Sequence, residues 1–238
     1  MELYNSTITA TRALLSGAEP RRWAYDPAAA WRDMGESELV MMRDAAFELG
    51  GSGCQSANFT CVTSDASLIP GDEILLYGKD LPELHGDVSF ARIAFLLSDD
   101  LGSDDEAAYQ AIRDMEFVKY HVFPEGYMVR TSSESNREQV RLSKKAIARG
   151  IDFRKIGASY IKGYHKNEHV QRVQIVFITD SAVVAELAKT AKKVDDITRT
   201  LTHILEGIPT DCGSCTLKPI CDEVEGMREM HFGMRNKG

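Results

Sequence analysis

The 238-residue chain is short of several things that would narrow its class at once. No run of 18 apolar residues occurs, so no membrane-spanning helix is expected. The opening MELYNSTITATRALL has no basic start, no continuous apolar stretch and no small-residue cleavage site, which argues against a secretory signal and for a cytoplasmic protein. Cysteine is scarce: five residues, an odd number, which argues against a disulfide framework. Basic residues are outnumbered, 28 Lys and Arg against 36 Asp and Glu, for a net charge of −8. A protein that as a whole binds polyanions is therefore not expected, and no nucleic-acid partner is assigned. Internal repeats, a phosphate-binding glycine loop, a nucleophile elbow and a kinase signature are also missing. What remains is 43% hydrophobic residues in 26.4 kDa, enough to bury a core without covalent staples.

The patterning predicts a mixed α/β body with a cysteine-rich tail. Residues 1–44 read as an N-terminal helical extension, 45–207 as the α/β domain and 208–238 as the tail. Extended runs occur at 59–62, 73–77 and 88–97, bounded by Gly50-Gly51, Pro70-Gly71 and Pro82. The acidic stretch 99–106 opens a helix ending near Met115. Strands are predicted at 117–123 and 127–131 around a Pro124-Glu125-Gly126 turn. Ser143 caps a short helix stopped by Gly150, Asp152 caps the next, and 173–178 is an apolar strand. Asp180 caps a long helix through Glu206, ended by Gly207 and Pro209.

Three of the five cysteines fall within ten residues. Cys212, Cys215, Cys221 and His231 follow the spacing C-x2-C-x5-C-x9-H. A C-x2-C pair with a third cysteine close behind lets short loops converge three thiolates on one centre. Thiolates take soft or borderline metals, so the spacing leaves open a [4Fe–4S] cluster and a Cys3His zinc site that staples the tail. Cys54, in the glycine-rich Gly50–Cys54, is an outside candidate ligand, and Cys61 reads as an ordinary buried cysteine. The other histidines, His165 and His169 included, form no ligand motif.

Charge is unevenly placed. Residues 130–174 hold eleven basic and four acidic side chains, a net of +7, which leaves −15 for the remainder. Lys144, Lys145, Arg149, Arg154 and Lys155, with Lys162 and Lys166, are expected on exposed helix faces. Such a run is either a plain solvated surface or a docking face for an acidic partner or a phosphorylated cofactor.

Val140–Gly150, then Arg172–Asp180, then the long helix and the cysteine tail resemble CO-methylating acetyl-CoA synthase, the β subunit of the carbon monoxide dehydrogenase/acetyl-CoA synthase complex. The likeness runs more weakly back through Glu125-Gly126, Val88–Leu97, Glu73–Gly78 and Phe47–Gly51, and so covers roughly residues 45–231. It implies the family's middle α/β domain followed by the start of the segment that holds its A-cluster, a [4Fe–4S] cubane bridged by one cysteine to two nickel ions. Cys212, Cys215 and Cys221 match the first three iron ligands, His231 stands where the fourth cysteine would be, and Cys215 matches the bridging position. The gap between the second and third cysteines is shorter than in the family, and the Cys-Gly-Cys segment for the distal nickel has no counterpart in these residues, so nickel is doubtful. The resemblance thus implies an iron–sulfur protein of anaerobic one-carbon metabolism, accessory or electron-transferring rather than a complete synthase. A ferredoxin, a corrinoid protein or coenzyme A would be its partner at the basic patch. The alternatives are a regulatory or assembly module with a structural zinc site, and a synthase component completed by another subunit.

Overall fold

A computed structural model describes residues 3–101, 104–132, 137–206 and 214–224. Among these, two sheets and the helices around them make up a mixed α/β protein. The larger sheet has five strands: β1 (Arg21–Ala24), β3 (Ser56–Thr63), β4 (Glu73–Tyr77), β5 (Phe90–Ser98) and β8 (Val170–Ile178), in the order β1-β4-β8-β5-β3. Two pairings are parallel, β4 with β8 and β3 with β5, and the other two are antiparallel. The central strands are apolar along nearly their whole length because both faces are covered, the pattern of a sheet sandwiched between layers.

Helices α1 (Asn5–Leu15), α2 (Asp105–Phe117) and α5 (Ser181–Leu205) belong to one side, where Arg12 reaches Phe95 and Gln174. On the other side lies α4 (Phe153–Tyr164), whose Phe153 stacks on Phe90 and Phe177. Gly157 lets α4 come close to β4: a Cβ there would lie 2.7 Å from Ile74. The same side carries the second sheet, antiparallel, of β2 (Ala45–Leu49), β7 (Arg137–Ser143) and β6 (Tyr127–Ser132) in that order.

The predicted helix boundaries carry the caps read from the sequence. The side chains of Ser143, Asp152 and Asp180 accept hydrogen bonds from Ala146, Lys155 and Ala182 backbone N–H groups, at the starts of α3 (Lys144–Ala148), α4 and α5. Gly150 takes φ +82° between α3 and α4. The strand expected at 117–123 is corrected: α2 runs to Phe117 and a 3-10 turn follows at Val118–Tyr120. Val118 and Val122, four apart, both face Gly163 of α4, while Phe117 and Tyr120 are exposed; the spacing is helical, not alternating. β6 instead pairs with β7. Residues 1–44 hold α1 but also β1 and two 3-10 turns, and β1 forms the edge of the main sheet beside β4.

Candidate functional site

The cationic segment is built by two capped helices meeting at Gly150, with Trp31 lying against them. Arg149 and Lys155 approach the Trp31 ring, 5.3 and 5.6 Å from its centroid. Trp31 Nε1 donates to the Glu125 carbonyl at 2.8 Å, which fixes the ring, and Ser159 Oγ donates to the Trp31 carbonyl at 3.1 Å. Arg149 Nη1 donates to Glu125 Oε1 at 2.6 Å. That hydrogen bond holds the Glu125 carboxyl below its ordinary range. Lys155 lies 3.3 Å from Asp152, and Arg154 3.7 Å from Asp26.

Three of the five predicted binding cations are therefore met by carboxylates, two of which, Glu125 and Asp26, come from outside the charged helices. Lys144 Nζ donates to the Arg43 carbonyl at 3.0 Å, and Lys145 is exposed without a partner among the described residues. Lys162 and Lys166 are exposed as well. The face keeps a positive balance, carried mainly by lysines, while its arginines are held in ion pairs.

The cysteines divide into three environments. Cys61 is fully buried in β3, and burial pushes its thiol well above the usual range. Cys54 is half-buried at the end of the glycine-rich loop, where its carbonyl accepts from Arg137 Nη2 at 2.9 Å. Cys215 and Cys221 are half-buried on either side of the start of α6 (Lys218–Glu223). The Cys215 carbonyl accepts from Lys218 N, and Cys221 N donates to the Leu217 carbonyl. Leu217, Ile220 and Val224 are buried, Ile220 and Val224 joining the main core, and α6 packs on α5. Cys212 and His231 lie outside the described residues. Among the described residues no three His, Cys, Asp or Glu side chains come together as a metal site. Two partly exposed thiols anchored at a short docked helix, with a third cysteine three residues upstream, fit a sulfur-rich donor set for iron–sulfur or zinc.

Sequence reasoning missed a buried polar cluster between the two sheets. Arg92 of β5 forms a two-point ion pair with Glu138 of β7, both fully buried, and Asn58 Nδ2 donates to the same carboxylate. The Arg92 guanidinium lies 4.1 Å from the centroid of the Tyr160 ring. Burial opposes its charge, but Glu138 and Tyr160 outweigh that, and its pKa is raised. Tyr127 and Tyr160, also buried here, are pushed up by desolvation. The available signal was Arg92 itself, a lone charge inside the apolar run Phe90–Leu97.

The fold is thus a two-sheet α/β body with a lysine-weighted face and a cysteine-bearing C-terminal helix. The profile of the CO dehydrogenase/acetyl-CoA synthase complex beta subunit family matches residues 29–184, and the chain belongs to that family. No curated protein matches the chain significantly. The matched span runs from Ala29 through β8 into the start of α5, so it contains Trp31 and all five candidate cations and ends before Cys212. Membership connects the chain with carbon monoxide and acetyl-CoA metabolism and with a multi-subunit complex. No helix among the described residues is long and apolar enough to cross a membrane.

Proposed function

We propose that the chain is an iron–sulfur subunit of anaerobic one-carbon metabolism, acting beside other subunits of a CO dehydrogenase/acetyl-CoA synthase complex in an accessory or electron-transfer role. The observation that carries this reading is the placement of Cys215 and Cys221 at the start of a helix docked on the body of a member of this family. Cys212, Cys215, Cys221 and His231 would hold a [4Fe–4S] cluster, which supplies one-electron transfer when bound. The chain's part is to position that group. Leu217, Ile220 and Val224 anchor α6, so the two described thiols are fixed relative to α5 rather than carried on a free tail.

Lys144, Lys145, Arg149, Arg154 and Lys155 would orient an acidic partner, a ferredoxin or corrinoid protein, or coenzyme A. Because three of these cations already have carboxylate partners, Lys144 and Lys145 are the ones free to steer an approaching anion over long range. Association at this face should slow as salt rises.

Purification without oxygen, followed by assay of iron, acid-labile sulfide, zinc and nickel, tests the reading. About four irons and four sulfides per chain are expected for a [4Fe–4S] centre, with an electron paramagnetic resonance signal on reduction. Cys215→Ser and Cys221→Ser should each lower the iron content and change that signal while circular dichroism is kept. One zinc and no sulfide would instead make the tail a Cys3His staple, a reading that the apolar anchoring of α6 also suits. Nickel in stoichiometric amount, bound only with a partner subunit present, would make the chain a synthase component completed in trans.

A further inference from the structure

We infer that the outer face of the three-stranded sheet carries a binding site for the phosphate or diphosphate group of a small ligand, separate from the lysine face and from the cysteines. An open concavity of about 400 Å³ is lined by Gly50, Gly51, Ser52, Arg130, Thr131, Arg137 and Gln139. Among the described residues its lining includes two arginines and no carboxylate. The strand register puts them there: Arg130 pairs with Gln139 and Ser132 with Arg137, so both guanidiniums and the amide belong to one face of the β6–β7 ladder.

Glu48 of β2, which pairs with Arg141 of β7, is already engaged. Its Oε1 accepts from Arg141 and its Oε2 from Gln139. Arg130 is exposed and has no hydrogen bond or ion pair with any described residue. Among the described residues Arg137 contacts only neutral acceptors, the Cys54 carbonyl at 2.9 Å and Ser56 Oγ at 3.5 Å, and no described carboxylate compensates its charge. Two uncompensated forks in one concavity match a tetrahedral oxyanion better than a carboxylate, because a phosphate offers enough oxygens for both.

The 50–54 loop adds uncharged donors. Gly50 N and Cys54 N are used internally, by the Val88 and Gly51 carbonyls, and the amides of Gly51, Ser52 and Gly53 have no described partner. Gly50, at φ +61°, brings this loop against β7: a Cβ there would lie 2.6 Å from the Glu138 carbonyl oxygen. The loop leads into β3 rather than a helix, so the site uses arginines where a helix-borne site uses the helix dipole. The volume also leaves room for a substituent beyond the phosphate, within the size range of small-molecule pockets.

Titration of the full chain with inorganic pyrophosphate by calorimetry, at low and at physiological salt, tests this. Saturable one-site binding is expected, weakened about tenfold or more by Arg130→Gln, the loss expected for one charge-assisted contact. Arg130 holds no structural partner among the described residues, so this variant should keep its fold; Arg137→Gln should weaken binding further, and its circular dichroism shows whether the fold survives. Lys189→Gln, at an exposed cation of α5 on the other side of the main sheet, should leave the affinity unchanged. Equal affinity in Arg130→Gln, equal loss in Lys189→Gln, acetate competing as well as pyrophosphate, or no saturable binding would each overturn the proposal. None of these outcomes depends on iron, so the site can fail or stand independently of the iron–sulfur reading.

Discussion

Arg92 and Glu138 join the two sheets through a fully buried ion pair whose partners lie 46 residues apart in the chain. Nε of Arg92 donates to Oε1 of Glu138 at 2.8 Å, Nη2 donates to Oε2, and Tyr160 covers the guanidinium. Taking both charges out of water is costly, and only their mutual satisfaction makes the burial tolerable.

Removing one partner should therefore cost more than removing both. Arg92→Met leaves the Glu138 carboxylate with Asn58 alone and should destabilise the fold by about 3–5 kcal/mol. Arg92→Met/Glu138→Leu should recover a large part of that loss. Urea unfolding of the three proteins measures it; a double variant as unstable as the single one would contradict the pair's role.

Gly157 is a packing requirement rather than a flexible point. Gly157→Ala should cost about 1–3 kcal/mol by overpacking against Ile74, more than the roughly 1 kcal/mol that alanine gains in helix propensity. In an Ile74→Ala background the same change should no longer destabilise. A double-mutant cycle with no coupling between the two positions would rule out the close approach of α4 to β4.

Asp80 is buried, and desolvation raises its pKa although Oδ1 accepts from Leu81 N and Phe153 N. A carboxyl with a raised folded-state pKa contributes most below its unfolded value, near 3.9, and loses that contribution as pH rises through the folded value. Asp80→Asn keeps an acceptor oxygen without the charge. Relative to the native chain, it should therefore be more stable at pH 7 than at pH 3.5. Thermal unfolding at the two pH values reads the difference, and a native chain that gains on the variant as pH rises would reverse the assignment.

Thiol chemistry should sort the cysteines by depth. With iodoacetamide, Cys54 should be alkylated in the folded chain while Cys61 stays protected until the protein is unfolded, because burial both excludes the reagent and disfavours the thiolate. Peptide mass spectrometry after timed quenching gives both rates. Similar rates for the two would mean that Cys61 on β3 is not closed off from solvent as described.

Much of the local structure was legible because short-range chemistry determines it. Ser143, Asp152 and Asp180 can satisfy free N–H groups only at helix starts, and all three do so. The runs at 73–77 and 173–178 were too apolar and too short for anything but buried strands. The 117–123 segment failed because four-residue spacing between Val118 and Val122 was hidden among other apolar residues. For the candidate site, the sequence showed which cations and thiols exist. It could not show that Glu125 and Asp26 return to neutralise arginines, since both partners are held there by folds of the chain far from α3 and α4.

The amino-acid order alone determined most of the element types (β1 and the 117–123 segment excepted), the caps, the tail's donor set and the segments that resemble the family, all of which depend on neighbours within a few residues. Only the tertiary structure decided the mixed sheet order, the burial of Arg92 against Glu138, and the meeting of Arg130 and Arg137 beside the Gly50–Ser52 loop. Those rest on strand register and layer packing between distant segments, where the free energy belongs to pairs of surfaces and no single stretch of sequence contains it.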